Sequence, residues 1–306
     1  MGNVVSTAFP DSLDPVFARL VEENFNQAPD LVPQLFNTSL KSSRDQEKLS
    51  SISSLPDFPK FTGTLTYKSP TQGYDVTAQH IEFAMGVQIQ RKLWDDDQHG
   101  KIRSIFEGFG DSAFKSRQKD AAQPFNLAFS VDPEFYTHTE GVSLCNDSHT
   151  TTVSGVSTSS GYDNLSTAAI SATSLTADRY TMRLFKDFQG EPVDEVFDEV
   201  FCPAELEDEV LKIVQTRVGL DTAAGDVNVH AGRNFKVISS VRLTDANNYF
   251  VMNSKLRNQS LYWIDRIPFE KDRMDSFDQY NFKGRAYMRY SFVYLFWQWI
   301  LGHSVS

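Results

Sequence analysis

Three consecutive aspartates, Asp95 to Asp97, form the densest group of possible metal ligands in this sequence. A helix–loop–helix calcium site needs oxygen ligands at the first, third, fifth and twelfth loop positions and glycine at the sixth. A loop that starts at Asp95 places Gly100 sixth, but it places His99 fifth and Phe106 twelfth. Phenylalanine cannot supply the bidentate carboxylate of the twelfth position. The aspartates are therefore predicted to begin a helix, whose dipole favours acid in its first turn, and no metal ligand is assigned.

The residue types of nucleophilic catalysis are present, but not in a catalytic arrangement. Gly141 to Cys145 lacks the closing glycine of a nucleophile elbow, and no apolar strand precedes it. No histidine pairs with a second histidine or a cysteine at the spacing of a metal site on one element. The histidines are His80, His99, His138, His149, His230 and His303. With no phosphate-binding or dinucleotide-binding glycine motif either, the sequence predicts no catalytic residue, no cofactor and no metal.

The net charge argues against a partner that is bound tightly through phosphates, and the two cysteines favour a reducing compartment. The 306 residues include 29 Lys and Arg against 40 Asp and Glu, which gives a net charge of −11. Strong binding to nucleic acid requires a basic face, so tight binding to DNA is not expected. Cys145 and Cys202 are too far apart in the sequence to suggest a disulfide framework, which fits a cytosolic product without a signal peptide. The longest apolar stretch, Phe292 to Leu301, is shorter than the roughly 20 residues of a membrane span, so no membrane partner is expected.

Residues 1–60 differ in composition from the rest of the chain. Prolines and serines interrupt this segment, and one short amphipathic helix is predicted from Asp14 to Asn24. The apolar face of this helix consists of Val16, Phe17, Leu20 and Val21. Because the segment cannot build a core alone, it is predicted to be an arm that lies on another surface.

Residues 61–94 are predicted to contain a long β-hairpin. Apolar and polar residues alternate on both sides of a turn from Ser69 to Tyr74 that includes Pro70 and Gly73. The apolar face consists of Phe61, Leu65 and Tyr67 on the outgoing strand and of Ile81, Phe83, Met85, Val87 and Ile89 on the returning strand. An isolated hairpin is marginally stable in water, so this face must cover an apolar surface, either in its own subunit or in a neighbour. The second reading makes these eight residues candidates for an intersubunit contact.

The remaining pattern predicts an α+β protein. The predicted helices start at Asp95 and fade before Pro124, run from an N-cap at Ser174 to about Asp187, and run from Pro203 to Gly219. Short strands are predicted in residues 235–243, Tyr249 to Met252 and Leu261 to Ile264, and an aromatic β-prone block in Tyr287 to Leu301. An arm and a long hairpin attached to a mixed body are typical of a protein that assembles, because such projections are hard to stabilise on a monomer.

Three stretches resemble the major capsid proteins of tailed phages, in particular their Mu-like branch. They are Lys115 to Phe129, Val200 to Glu207, and Leu243 to Phe250 followed by Leu261-Tyr262-Trp263. Each motif is degenerate alone, and their order and spacing over residues 61–306 identify the resemblance. It implies the Hong Kong ninety-seven-type fold: an N-terminal arm, an extended hairpin loop, a long spine helix, a peripheral domain and an axial domain. The expected boundaries are 1–60 for the arm, 61–94 for the hairpin loop, 95–170 for the spine helix and peripheral domain, 171–268 for the axial domain and 269–306 for a return to the peripheral domain.

The resemblance implies a structural subunit that assembles as hexamers and pentamers into an icosahedral head shell. Its implied partners are further copies of itself, scaffolding, portal and decoration proteins, and packaged double-stranded DNA that it contacts without sequence specificity. Its implied location is the virion, after synthesis in the bacterial cytoplasm. Two alternatives stay open from the sequence: an encapsulin-like compartment with the same fold, and a β-rich hydrolase with an unrecognised pair of carboxylates.

Overall fold

The computed structural model describes residues 10–90, 92, 96, 100–215, 228–276 and 281–305, which form helices and three β-sheets. The helices are α1 (Pro10–Phe25), α2 (Leu31–Leu35), α3 (Lys101–Asn126), α4 (Ala172–Arg183), α5 (Glu207–Gln215) and α6 (Ser254–Ser260). The strands are β1 (Gln46–Ile52), β2 (Gln72–Gln79), β3 (Ile81–Gln90), β4 (Tyr136–His138), β5 (Leu165–Ser166), β6 (Glu199–Pro203), β7 (Lys236–Ser240), β8 (Tyr249–Met252), β9 (Leu261–Ser276), β10 (Asn281–Tyr294) and β11 (Ile300–His303).

The long helix α3 follows Gly100, whose φ of 65° suits a glycine. Residues 95 and 97–99, where the sequence predicts the helix start, lie outside the described residues. The expectation that helical structure fades before Pro124 is wrong, since α3 continues to Asn126. Pro124 removes one hydrogen bond in the last turn only, and burial of the neighbouring Phe125 against the five-stranded sheet stabilises that turn.

The arm prediction is confirmed for its helix, but this helix packs on its own subunit. Phe17, Leu20 and Val21 are buried, while the side chain of Val16 lies outside the described part of the chain. Phe17 forms edge-to-face ring contacts with Phe106 of α3, at 4.9 Å, and with Phe282 of β10, at 5.5 Å. Helix α1 therefore packs in a core of its own subunit. The sequence had predicted that it lies on another surface.

The predicted hairpin of residues 61–92 does not form among the described residues, because the two strands found there, β2 and β3, pair with other partners. Strand β3 pairs antiparallel with β10, from Gln90 opposite Asn281 to Ile81 opposite Tyr290, and β9 pairs with the other edge of β10. Residues 61–68 form no strand; β2 pairs instead with β1 and β4. Alternation shows that a segment can be a strand but not which strand it pairs with, and here the partner of β3 is about 200 positions away.

The five-stranded sheet has the order β5-β11-β8-β6-β7, with parallel and antiparallel neighbours. Helix α4 starts earlier than predicted, because Ser171 and not Ser174 is its N-cap, and it ends at Arg183. Ser174 occupies the third position of a capping box with Ser171. Pro203 ends strand β6, and a short turn of 3-10 helix, Ala204–Leu206, separates it from α5. The predicted helix end at Gly219 lies outside the described residues.

The C-terminal aromatic block is central to the core, as predicted. Trp299 and Phe292 are fully buried and Trp297 is 3% exposed. Tyr287 is only half-buried, contrary to the prediction, because it points away from the buried row of β10 that includes Tyr290. The block divides between two sheets, since β10 belongs to the three-stranded sheet and β11 pairs with β8. No helix among the described residues has the length and apolar character of a membrane span.

Replacement of Trp299 by alanine is expected to destabilise the subunit by about 3–5 kcal/mol, because a fully enclosed indole leaves a cavity. Urea unfolding followed by circular dichroism measures this change. Tyr67→Ala is the matched control, since that ring is 89% exposed and its loss is expected to change the free energy of unfolding by less than about 0.5 kcal/mol. Equal stability of both variants would contradict the assignment of Trp299 to the core.

A buried acid joins α3 to the centre of β10. The hydroxyl of Tyr290 donates a hydrogen bond of 2.6 Å to Oδ2 of Asp120. Burial raises the pKa of Asp120 to about 6, although the hydrogen bond from Tyr290 opposes this shift. The folded state therefore binds a proton more tightly than the unfolded chain, and this stabilising contribution is lost as the pH rises through about 6.

Asp120→Asn is expected to remove the part of the pH dependence of unfolding that lies between about pH 4 and 6, and to stabilise the fold at pH 7 by about 2–3 kcal/mol. Thermal melting over that pH range is the measurement. Asp147→Asn, which makes the same substitution at an exposed position, is the matched control. If the melting temperature of Asp120→Asn changed with pH as it does in the unaltered protein, burial would not raise the pKa of this carboxyl in the folded state.

Candidate assembly surface

The two cysteines and the histidines that the structure describes are buried inside the protein. His149 is buried, 3.2 Å from Glu140 and stacked on Trp297 at 4.4 Å. His303 is buried 3.1 Å from Asp178. His149 and His303 therefore have one carboxylate neighbour each, and within the described residues no three side chains of His, Cys, Asp or Glu gather as metal ligands.

The thiols and Ser143 are equally enclosed. Burial raises the pKa of Cys202 to about 12 and raises that of Cys145 further, so both thiols stay protonated at neutral pH. The hydroxyl of Ser143 donates to the carbonyl oxygen of Cys145 at 2.9 Å, inside the protein. Ser143 is buried, and among the described residues its hydroxyl is bonded to a backbone carbonyl and to the amide of Asn146 instead of to a base that could activate it.

The conspicuous surface feature is a loop that presents apolar side chains to water. We define the 52–71 loop as the connection between β1 and β2, starting at the last residue of β1; residues 53–71 contain no helix or strand. Its exposed large apolar side chains are Ile52, Leu55, Phe58, Phe61, Leu65 and Tyr67. Phe58 is as exposed as in an extended chain. Exposed apolar side chains in such a concentration mark an interaction surface.

The base of the 52–71 loop is fixed by hydrogen bonds. The backbone N–H of Ser53 donates to the carbonyl of Thr71 at 2.9 Å, and the N–H of Thr71 donates back to the Ser53 hydroxyl at 2.8 Å. The side-chain amide of Gln189 donates to the carbonyl of Ser54 at 3.0 Å, and the Ser54 hydroxyl donates to Asp187. The loop is therefore attached firmly where it leaves the body.

Asp75 organises the strands below this base. Its carboxylate lies 2.8 Å from the Lys48 ammonium and accepts hydrogen bonds from Ser50 at 2.5 Å and Gln72 at 2.7 Å. The bond from Lys48, followed by those from Ser50 and Gln72, lowers the pKa of Asp75 to about 2. Asp75 is therefore ionised throughout the neutral and mildly acidic range, and it ties β1 to β2.

The structure separates the two groups of residues that the sequence placed on one hairpin face. Phe61, Leu65 and Tyr67 are exposed on the 52–71 loop. On β3, Ile89 is buried against α1 and α3, and Ile81, Phe83 and Val87 are partly buried in the subunit core. Phe83 stacks on Tyr290 at 4.7 Å. Met85, at 45% exposed, is the β3 residue of this group that faces solvent most.

Sequence reasoning missed Ile52, Leu55 and Phe58, which extend the exposed surface toward β1. The segment around them was assigned to an arm because of its serines and of Pro56 and Pro59. The sequence feature that could have identified them is the position of Leu55, Phe58 and Phe61 next to or near Pro56 and Pro59. Proline has no N–H to donate in a sheet and restricts the backbone, so it disfavours strand pairing here. Large apolar residues in such a segment cannot be covered by local pairing.

The arrangement of sheets and helices is similar to that of solved shell proteins. One is the mature capsid of bacteriophage PhiM1, with a TM-score of 0.57, 11% identity, and coverage of 88% of this chain and 86% of that chain. A second is the capsid of a native GTA particle, with a TM-score of 0.55, 12% identity, and coverage of 90% and 89%. A third is a virus-like particle from Pyrococcus furiosus, with a TM-score of 0.52, 8% identity, and coverage of 94% and 96%.

These similarities define the class of protein: the chain has the Hong Kong ninety-seven-type fold of shell-forming capsid proteins. The model of a family described as phage capsid protein matches residues 73–299, and the chain belongs to that family. It is a structural subunit of a phage capsid, and it associates with copies of itself. A comparison with curated proteins gave no match. The placement in the Mu-like branch stays a prediction.

Removal of the Asp75 carboxylate is expected to loosen the base of the 52–71 loop. In Asp75→Ala, the amides of β1 and β2 should exchange with deuterium about tenfold faster, because the ion pair with Lys48 and the hydrogen bonds from Ser50 and Gln72 are lost. In the unaltered protein the contribution of Asp75 is present above about pH 4 and is lost as the pH falls toward 2. Asp57→Ala, in the loop itself, is the matched control, and equal exchange in both variants would contradict the role of Asp75.

Proposed function

We propose that this subunit builds the head shell of a tailed phage from hexamers and pentamers, and that the 52–71 loop lies over a neighbouring subunit. The observation that supports the proposal most directly is the row of six exposed apolar side chains on a loop whose base is fixed. Among the residues expected to make an intersubunit contact, Phe61, Leu65, Tyr67 and Met85 are available for it. Ile81, Phe83, Val87 and Ile89 pack in the core of their own subunit instead.

The energetics favour burial of this loop in an assembly. Each large apolar side chain that leaves water stabilises the buried state by about 1.5–3 kcal/mol. Ordering the loop costs about 1–2 kcal/mol for each residue that becomes fixed. Because hydrogen bonds already hold the loop at Ser53 and Thr71, only its outer part needs to be ordered. A neighbour that covers the six side chains can therefore stabilise the contact.

The other parts of the proposal concern partners and location. A net charge of −11 favours weak, non-specific contacts with packaged double-stranded DNA, since an acidic wall does not hold phosphates tightly. Scaffolding, portal and decoration proteins are proposed as further partners on the basis of the family. The subunit is a capsid component of the virion, and its synthesis in the bacterial cytoplasm is part of the proposal. An encapsulin-like compartment and a hydrolase are not favoured, because the matching family is one of phage capsid proteins.

Charging the 52–71 loop is expected to separate folding from assembly. Phe58→Asp combined with Phe61→Asp should leave the circular dichroism spectrum and the melting temperature of the subunit unchanged, because both rings are in water. The same variant should form at least tenfold fewer shells in negative-stain microscopy when expressed with the phage head proteins. The matched control, Phe58→Leu with Phe61→Leu, keeps apolar side chains at both positions and should still assemble.

Two outcomes would contradict this function. Normal shells from the Asp variant would show that the loop does not mediate assembly. A variant that loses its fold would show that the loop belongs to the core of the subunit. In a second variant, a short Gly-Ser turn replaces residues 55–70. Such a turn can close the gap because Ser53 and Thr71 are hydrogen-bonded to each other. This variant should also fold without assembling.

A further inference from the structure

Two arginines beside the five-stranded sheet lie near enough for their positive charges to repel each other, and neither forms an ion pair with a carboxylate of the described residues. Arg179 is on α4, and Arg233 is in the turn that precedes β7; both are half-buried. The ring of His230 joins these elements, since its Nε2 lies 3.0 Å from the Thr176 hydroxyl and 3.0 Å from the carbonyl oxygen of Ala172. The backbone N–H of Arg233 donates to the carbonyl of His230 at 3.0 Å. The turn therefore holds Arg233 against the same helix as Arg179.

The electrostatics around these two guanidinium groups are unfavourable in the isolated subunit. Burial lowers the pKa of Arg179, and the positive charges of Arg233 and Arg183 lower it further. Arg183, one turn along α4, has its Nε 2.6 Å from Asp194. Arg179 and Arg233 make no such ion pair within the described residues. An arrangement of this kind is stabilised when a negative group from outside approaches.

A group of exposed acids lies beside the same sheet, in the 3-10 turn and the first turn of α5. Glu205, Asp208 and Glu209 are exposed around the start of α5, and they form no ion pair with described residues. Glu207 differs from them, because its carboxylate accepts a hydrogen bond of 2.7 Å from Ser239. The three exposed carboxylates suit the positive end of the helix dipole, but their charges are free for a partner.

A ring of identical subunits uses one contact repeatedly, in which two different surfaces of the chain meet. We propose that Arg179 and Arg233 of one subunit bind the acidic start of α5 in a second copy of this chain. This inference rests on the proposed function, since it places the contact between adjacent subunits of a capsomer. A pairing of opposite charges selects the head-to-tail orientation and accelerates encounter. It complements the apolar contact of the 52–71 loop, which provides no charge selectivity.

Charge reversal tests the pairing. Arg179→Glu with Arg233→Glu, and separately Glu205→Lys with Asp208→Lys, should each reduce the rate of particle formation in light scattering at least tenfold at low salt. The four substitutions combined should restore the rate to within about threefold, because the charges then pair in the opposite sense. Thermal melting of the unassembled subunits verifies folding. The matched control is Arg103→Glu, which reverses an exposed arginine that pairs with Glu107 on α3.

The outcomes are distinct. Restored assembly in the combined variant supports the pairing. Normal assembly of the arginine variant overturns it, and so does a folded combined variant that stays as defective as the single sets. A failure of the proposed function differs, since the unaltered chain would then form no shells. In that case sedimentation velocity at low and high salt decides: salt-sensitive self-association that the arginine variant loses supports the pairing, and its absence in the unaltered chain overturns it.

Discussion

The packing around Tyr290 is the interaction on which the rest of the structure depends. Its ring is stacked between Phe83 of β3, at 4.7 Å, and Trp263 of β9, at 4.6 Å. Its hydroxyl reaches Asp120 of α3. One side chain of β10 therefore holds both edges of the three-stranded sheet and the long helix in one unit. This packing adds to the backbone pairing of β10 with β3 and β9, which joins segments that are distant in the sequence.

The three-stranded sheet and helix α3 hold the N-terminal helix α1 but leave most of the 52–71 loop uncovered. Helix α1 packs on α3 and β10, and Arg117 links the arm to the sheet, since its guanidinium lies 3.4 Å from Asp30 and 5.6 Å from the ring of Trp263. Helices α1 and α2 are therefore part of the subunit core, while the 52–71 loop is fixed only at its base. An assembly protein needs this division, because rigid bases position contacts that only a neighbour can complete.

The buried polar groups of the interior fix the arrangement of the elements around them. His149 and His303 each lie beside one carboxylate and one aromatic ring, and Glu199 pairs with Arg257 at 2.7 Å in a buried position. Such pairs are costly to desolvate, and they fix one arrangement of the elements around them. Burial encloses these pairs within the subunit, whereas Glu205, Asp208 and Glu209 around the start of α5 are exposed.

The sequence by itself determined the amphipathic helices, several strands, the burial of Trp297 and Trp299 and, through short motifs, the capsid family. These features follow from local periodicity and composition, which record the apolar face of each segment. The pairing of β3 with β10, the strand β1 among its serines and the exposure of Leu55 and Phe58 were decided only by the tertiary structure. The physical reason is that pairing and burial depend on residues distant in the chain. An apolar strand face such as Ile81 to Ile89 has the same pattern whether its own core or a neighbour covers it.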